Sequence, residues 1–169
     1  MQVDGFRFDL GTILTLDTKG NVMDYPPVLW EIELKKELSD CELIAEPWGG
    51  DGSGQLYQLG NIHGFRWAQW NGRYRDCIRR FVKGDAGIIE EVATRISGSP
   101  DLYQRNGHLP INSVNFITCH DGFTMNDLVS YTNQTQLSCN YGVEGETKDV
   151  NIKKLRSGKL RVLNYSCSD

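Results

Sequence analysis

Three acidic residues each end a short run of residues typical of a β-strand. Asp9 closes "VDGFRFD", Glu46 follows "CELIA", and Asp121 follows "SVNFITCH". Two carboxyl groups can cleave a glycosidic bond with retention when they lie about 5–5.5 Å apart, one as acid and the other as nucleophile. Neighbouring strands are separated by roughly 4.8 Å, so acids at their tips have this reach. Asp9 and Glu46 end consecutive predicted strands, which fits a retaining pair.

Other residues beside these acids could support the same chemistry. Arg7 lies two residues before Asp9, so both side chains point to the same face of a strand. A guanidinium there favours the ionised carboxylate that a nucleophile requires. The proline and tryptophan after Glu46 suggest partial burial, which favours the protonated form of an acid. His120 and Asp121 could hold sugar hydroxyls through charge-assisted hydrogen bonds.

Each of these residues also has a structural interpretation. An acid at a strand end is most often a solvated turn residue or a helix cap. The glycine-rich "WGGDGSG" lacks the Lys-Ser/Thr pair of a P-loop and the G-x-G-x-x-G spacing. His63, His108 and His120 match no metal-site spacing, so we expect neither a metal nor another cofactor. From residue spacing alone, sugar hydrolysis is one interpretation and the structural interpretations stay open.

Predicted strands and helices alternate around these residues. Strands are expected at residues 2–9, 41–47, 65–72 and 113–122. Helices are expected over 28–38, in two pieces of 73–98 separated near Gly84 to Gly87, and after Thr124 as N-cap. This alternation indicates an α/β fold with a parallel sheet. In a (β/α)₈ TIM barrel the active site lies at the C-terminal ends of the strands, where the three acids fall.

Composition narrows the classes of function. The 169 residues suffice for one domain with a core, and a net charge of -4 offers no basic face for nucleic acid or an anionic membrane. No apolar run approaches the roughly 20 residues that cross a bilayer. The first residues resemble no secretory signal. The five cysteines form no CxxC pair, which favours reduced thiols in an intracellular protein.

Several segments together resemble a known family. "VDGFRFD", "LIAEPW" and "VNFITCHDGFTMNDLVSY" resemble the second, third and fourth signature regions of the α-amylase superfamily. "WAQWNGRYRDCIRRFVKGDAG", "GSPDLYQ" and "YGVEGET" are similar to its isoamylase and glycogen (starch) debranching branch. The resemblance extends from Met1 to about Arg156, with the motifs in the expected order.

This resemblance implies a role for each candidate residue. Asp9 is implied as nucleophile, Glu46 as general acid/base and Asp121 as stabiliser of the transition state. Arg7 and His120 match residues that bind at the same subsite, and Trp48 is implied as a wall on which a sugar ring stacks. The implied reaction is retaining hydrolysis of α-1,6 branch linkages in glycogen or amylopectin, without a cofactor. It also implies a cytoplasmic or, in a plant or alga, plastid location, and allows association with other debranching-enzyme subunits.

The family's pattern is present only in part. Its first signature, of the type Asp-x-x-x-Asn-His, is absent, and the polar loop before "YGVEGET" is short. We therefore expect a partial (β/α)₈ barrel, about strands four to seven, over residues 1–156 and a divergent tail over 157–169. An alternative function follows: a truncated, non-catalytic chain that binds glucan or a partner subunit. We expect no turnover of amylopectin by this chain alone, because missing strands would supply substrate contacts.

Overall fold

The computed structural model describes residues 3–49 and 56–166. They form two compact units. The first unit comprises Met1–Asn71 and Ser97–Val114, and the second comprises Gly72–Ile96 and Asn115–Asp169. Most of the glycine-rich loop "WGGDGSG" and the cysteine at position 167 lie outside the described residues.

The first unit is built on a four-stranded parallel sheet. Its strands lie in the order of the chain: β1 (Gly5–Phe8), β2 (Glu42–Ala45), β3 (Trp67–Trp70) and β4 (Ser113–Val114). All three pairings are parallel. The α/β class and the parallel sheet expected from the alternating elements are therefore confirmed.

One face of this sheet carries the core of the first unit. Leu43, Ala45 and Trp67 are at most 1% exposed and pack with Leu29 and Ile62. The opposite face carries Arg7, which is paired in register with Ile44, and Ile44 in turn with Ala68. Residues directly across neighbouring strands share a face. The charge of Arg7 thus lies on the face away from the helix-packed core.

Helix α1 (Pro27–Glu33) connects β1 to β2 and is shorter than predicted. The expected helix over 28–38 ends at Glu33, and a separate 3₁₀ turn follows at Lys36–Leu38. Arg66 supplies the reason, because its guanidinium donates to the carbonyl oxygens of Glu33 at 2.7 Å and Leu38 at 2.6 Å. These bonds satisfy carbonyl groups that a continuing helix would otherwise use. The remaining helical pieces of this unit are α4 (Pro100–Tyr103) and 3₁₀ turns at Gly11–Thr15, Gln104–Asn106 and Pro110–Asn112.

The last strand is also shorter than predicted. The sequence indicated a strand through residues 113–122, but β4 contains only Ser113 and Val114. Val114 pairs with Trp70, the last residue of β3, and the chain enters the next helix at Gly72. Beyond Val114 no residue of β3 remains to continue the ladder. The prediction that His120 and Asp121 close a strand is therefore wrong.

The second unit is helical. It contains α2 (Gly72–Lys83), α3 (Ile89–Ile96), α5 (Met125–Ser130) and α6 (Val150–Tyr165). The predicted break between α2 and α3 is confirmed, with Gly84 and Gly87 at φ +102° and +74°. Thr124 caps α5 as expected, since its hydroxyl accepts from the Asp127 N–H at 3.2 Å.

Buried side chains hold this second unit together. Its largest cluster joins α2, α5 and α6 through Ile78, Leu128 and Leu163. Arg156 on α6 is 7% exposed and donates to the carbonyl oxygens of Gly145 at 2.6 Å and Asn140 at 2.9 Å. Helix α6 therefore anchors the "YGVEGET" segment, and it continues without interruption past residue 156.

No helix within residues 3–49 and 56–166 is both long and apolar enough to cross a membrane. The same residues contain no group of three or more His, Cys, Asp or Glu side chains arranged to hold a metal ion.

Candidate active site

The pairing of β1 with β2 places Asp9 and Glu46 side by side. Phe8 and Ala45 are partners in register, and each candidate acid is the residue directly after its strand. The Glu46 N–H donates to the Phe8 carbonyl oxygen at 3.1 Å, which extends the pairing to the acids themselves. Both acids therefore leave the sheet at its C-terminal end and at the same level.

The chain after Asp9 lies against Glu46. Leu10 adopts a left-handed conformation with φ +46°, and its N–H donates to Glu46 Oε2 at 2.9 Å. Gly11 then passes close to β2, since a Cβ built there would lie 3.0 Å from the Ala45 Cβ. A side chain at this position would push β2 away, so the glycine permits the close approach.

Arg7 joins the two acids. One guanidinium nitrogen forms a short ion pair with Asp9 Oδ1, and the other lies 3.0 Å from Glu46 Oε2. The guanidinium carbon also lies 4.3 Å from the centre of the Trp70 ring, a distance typical of a cation–π contact. The sequence predicted that Arg7 and Asp9 share a face, and the contact with Glu46 adds a link between the two carboxylates.

The two carboxylates differ in exposure. The Asp9 side chain is 66% exposed and the Glu46 side chain 4%. An exposed carboxylate can approach the anomeric carbon of a substrate. The buried one is held by the Leu10 N–H and by Arg7, and a fixed orientation suits proton transfer to a single oxygen. The arrangement provides two differently placed carboxyl groups on adjacent strand ends, and glycoside hydrolysis uses a pair of carboxyl groups.

Trp48 lies in the same region as predicted. Its ring centre is 6.4 Å from that of Trp70, with the planes tilted by 45°. Sequence reasoning did not identify Trp70 as a site residue, although it ends β3 just as Phe8 and Ala45 end their strands. The argument from strand ends was applied to acids alone, and its extension to aromatic residues would have found Trp70.

His120 and Asp121 belong to the second unit. The His120 Nε2 lies 3.5 Å from Asp121 Oδ2, and their side chains are 53% and 73% exposed. They precede the capping box of α5 rather than ending a strand. The structure thus brings together Arg7, Asp9, Glu46 and Trp48 within the first unit, and the participation of His120 and Asp121 stays a prediction.

Comparison with known proteins supports the resemblance seen in the motifs. The chain is 46% identical over 174 aligned positions to Isoamylase 3, chloroplastic, of Oryza sativa subsp. japonica, covering 94% of the chain and 22% of that protein. It is 41% identical over 177 positions to a glycogen operon protein GlgX homolog of Mycobacterium tuberculosis, covering 95% and 24%. It is 38% identical over 195 positions to Isoamylase 1, chloroplastic, of Arabidopsis thaliana, again covering 95% and 24%. No family model matches the chain.

These relatives are much longer than the chain. It spans about a quarter of the length of the curated relatives it matches, although nearly all of it is aligned. The alignment with Isoamylase 1 runs over 195 positions, more than the 169 residues of the chain. Isoamylase 1 therefore carries residues within the aligned region that this chain lacks.

Proposed function

We propose that this chain, which is homologous over about 95% of its length to isoamylases and GlgX homologs, carries the nucleophile and the acid/base of a retaining debranching hydrolase. The substrate bond is the α-1,6 branch linkage of glycogen or amylopectin. The observation that carries the proposal is the Arg7 bridge between Asp9 and Glu46 at the C-terminal ends of adjacent parallel strands. The parallel sheet is then part of a (β/α)₈ barrel, about strands four to seven, in which this end holds the active site.

The proposed reaction has two steps. In the first, Asp9 attacks the anomeric carbon while Glu46 donates a proton to the glycosidic oxygen, so that an ester forms and the sugar alcohol leaves. In the second, Glu46 removes a proton from water, the water oxygen attacks the same carbon, and the Asp9 carboxylate is released. Two inversions give overall retention. No metal or organic cofactor takes part in either step.

Arg7 supports both steps through its position. Its guanidinium pairs with Asp9, which holds the nucleophile in a fixed position. The same group lies 3.0 Å from Glu46, so the electrostatic environments of the two acids are linked. The Trp70 ring lies beside this cation and the Trp48 ring centre lies 6.4 Å from that of Trp70, so both can stack against the faces of a bound sugar.

The other roles rest on the motif "FITCHDG" and on the relatives' names. Asp121 is proposed to stabilise the oxocarbenium-like transition state and His120 to bind a sugar hydroxyl. Chloroplastic relatives support a plastid location if the host is a plant or alga, and GlgX relatives support a bacterial cytoplasmic one. Association with further debranching-enzyme subunits is part of the same proposal.

Two oligosaccharides of equal size would test the bond specificity. One contains a single α-1,6 branch and the other only α-1,4 linkages, and NMR follows the anomer of the product. We expect this chain alone not to turn over amylopectin, so the test uses small substrates, which need fewer contacts beyond the two carboxylates than a polymer does. We expect cleavage of the branched compound with initial release of the α-anomer, and loss of cleavage in Glu46→Gln.

The matched control for this test is Glu42→Gln. Glu42 lies on the same strand as Glu46, at its other end, and is exposed. Release of the β-anomer, or equal loss in both variants, would contradict the proposal. Binding of the branched compound without cleavage by the unaltered chain would favour the non-catalytic alternative.

A further inference from the structure

A second group of aromatic side chains lies in the first unit, away from the two carboxylates. Tyr25 is 80% and Phe65 73% exposed. The Tyr25 ring centre is 6.3 Å from that of His63, and the Trp30 ring centre is 6.2 Å from that of Phe65. Exposed aromatic side chains that cluster in this way are typical of a binding surface. We call these four residues the outer aromatic cluster.

The loop that carries His63 and Phe65 is held firmly in place. Ile62 at its start is fully buried. The Phe65 N–H donates to Glu33 Oε1 at 2.9 Å, and His108 Nε2 lies 2.7 Å from the Gly64 carbonyl oxygen. The backbone of Phe65 is therefore fixed, although its side chain is exposed. Such preorganisation lowers the entropic cost of binding a ligand.

Gly64 shows how closely this loop is packed. Its φ is +113°, and a Cβ built there would lie 2.0 Å from Glu33 Oε2 and 2.6 Å from the Trp67 ring. Any residue other than glycine would have to move the loop. The position of Phe65 thus depends on the glycine at position 64.

A cavity of about 180 Å³ is lined by three of the four members of this cluster. Trp30, Phe65 and His63 line it, together with Asn106 and His108. Sites for drug-sized ligands measure about 300–1,000 Å³, so this cavity suits a single ring rather than a larger molecule. It combines aromatic faces with side-chain nitrogen atoms, as a ring with both apolar C–H faces and hydroxyl groups would require.

His108 contains an unused hydrogen-bonding group. It is 6% exposed, and the Gly64 carbonyl can only accept, so Nε2 carries the proton of that contact. Nδ1 is buried and has no hydrogen-bond partner among the described residues. His108, which lines the cavity, thus holds one ring nitrogen that no described group satisfies.

We propose that the outer aromatic cluster is a second carbohydrate-binding site, which takes one glucosyl unit of an α-glucan chain. The identity of the sugar rests on the proposed function. The cluster is separate from the candidate active site, because Phe65 precedes β3 whereas Trp70 ends it. A glucan that contacts Phe65 is anchored near the N-terminal end of β3, while the bond to be cleaved lies at the C-terminal end of the sheet.

The experiment measures binding of maltoheptaose to the full chain by calorimetry, and by the NMR shift of the Trp30 indole N–H. We expect Phe65→Ala to weaken binding at least tenfold and to remove the Trp30 shift. Phe65→Tyr, which retains the ring, should restore both. Gly64→Ala should weaken binding as well, although the aromatic residues are unchanged.

Two controls separate this site from others. Tyr165→Ala removes an aromatic side chain that is 79% exposed in the second unit, and it should leave binding unchanged. Asp9→Asn should leave the Trp30 shift intact, so loss of catalysis and loss of this site give different results. The inference is overturned if maltoheptaose causes no shift of Trp30, or if Phe65→Ala binds as tightly as the unaltered chain.

Discussion

The two ends of β1 and β2 both carry acids, but they use them differently. At the N-terminal end, Asp4 and Glu42 are exposed, and their backbones join through the Glu42 N–H and the Asp4 carbonyl oxygen at 2.9 Å. At the C-terminal end, Arg7 links the side chains of Asp9 and Glu46, and Glu46 is buried. Under the proposed function, strand direction rather than the presence of carboxylates indicates which end of the sheet carries the catalytic residues.

The largest effect should come from removing the acids at each end in turn. Asp9→Asn should lower fluoride release from α-maltosyl fluoride by about 10³-fold or more, because the nucleophile is lost. Asp4→Asn should leave the rate unchanged. A fluoride electrode measures both. Equal losses in the two variants would show that the ends do not differ in function.

Glu46→Gln should give a different signature in the same assay. Fluoride leaves without protonation, so the ester on Asp9 can form, but its hydrolysis lacks a general base. We expect a burst of about one fluoride per chain followed by a very slow steady state. Glu42→Gln should show normal turnover. A Glu46→Gln variant without any burst would contradict the division of roles.

Arg7 links the two acids at the C-terminal end of the strands, and its replacement should have the next largest effect. Arg7→Ala leaves the buried Glu46 carboxylate without its cation, which should lower the free energy of unfolding by about 3 kcal/mol. Arg7→Lys keeps the charge but has neither the fork that reaches both acids nor the plane that stacks on Trp70. We expect fluoride release to fall about 10²-fold in Arg7→Lys with a smaller loss of stability. Equal rates for Lys and Arg would show that charge alone suffices.

Alanine substitutions at two glycines, one near each end of the strands, should have smaller effects that separate stability from catalysis. At Gly5 a Cβ would lie 2.8 Å from the Glu42 carbonyl oxygen, and at Gly11 it would lie 3.3 Å from that of Glu46. Gly5→Ala should destabilise the fold by about 1–3 kcal/mol through overpacking, with turnover per folded chain unchanged. Gly11→Ala should lower turnover about tenfold, because it displaces Glu46. Urea unfolding and fluoride release distinguish stability from catalysis.

The smallest effect concerns Asp17, the first acid after Asp9 along the chain. A hydrogen bond from the Asn21 side chain, with others from the Asn21 and Lys19 N–H groups, lowers the pKa of Asp17 below its usual 3.8. A lowered folded-state pKa means that the ionised group stabilises the fold above about pH 4 and that this contribution disappears as pH falls. Asp17→Asn should therefore lower the thermal midpoint at pH 7 but have little effect at pH 3. Fluoride release should remain unchanged.

The sequence predicted the parts of the fold that depend on local signals. Alternation of strands and helices gave the parallel sheet, Thr124 gave the N-terminus of α5, and Gly84 and Gly87 gave the break between α2 and α3. The end of α1 could not be predicted, because Arg66, distant in sequence, accounts for it. The length of β4 depended on where its partner β3 ends.

The candidate site was likewise predictable where it depends on local sequence signals and not where it depends on contacts. Asp9, Glu46 and Arg7 were found from strand ends and from the period of two along a strand. The burial of Glu46 agrees with the proline and tryptophan that follow it, whereas its bond from the Leu10 N–H depends on a left-handed turn that no local signal in "FDLGT" specifies. Trp70 also ends a strand and was missed because only acids were considered at strand ends, but its contact with Arg7 crosses from β3 to β1 and has no local signal.

The most direct test of the central claim is to identify the residue that carries a trapped sugar. A 5-fluorinated α-glucosyl fluoride keeps a good leaving group while it slows hydrolysis of the ester, so the intermediate accumulates. We expect one adduct per chain, found by peptide mapping on Asp9 and absent in Asp9→Asn. An adduct on Asp4 or any other acid, or no adduct in a folded chain, would contradict the account.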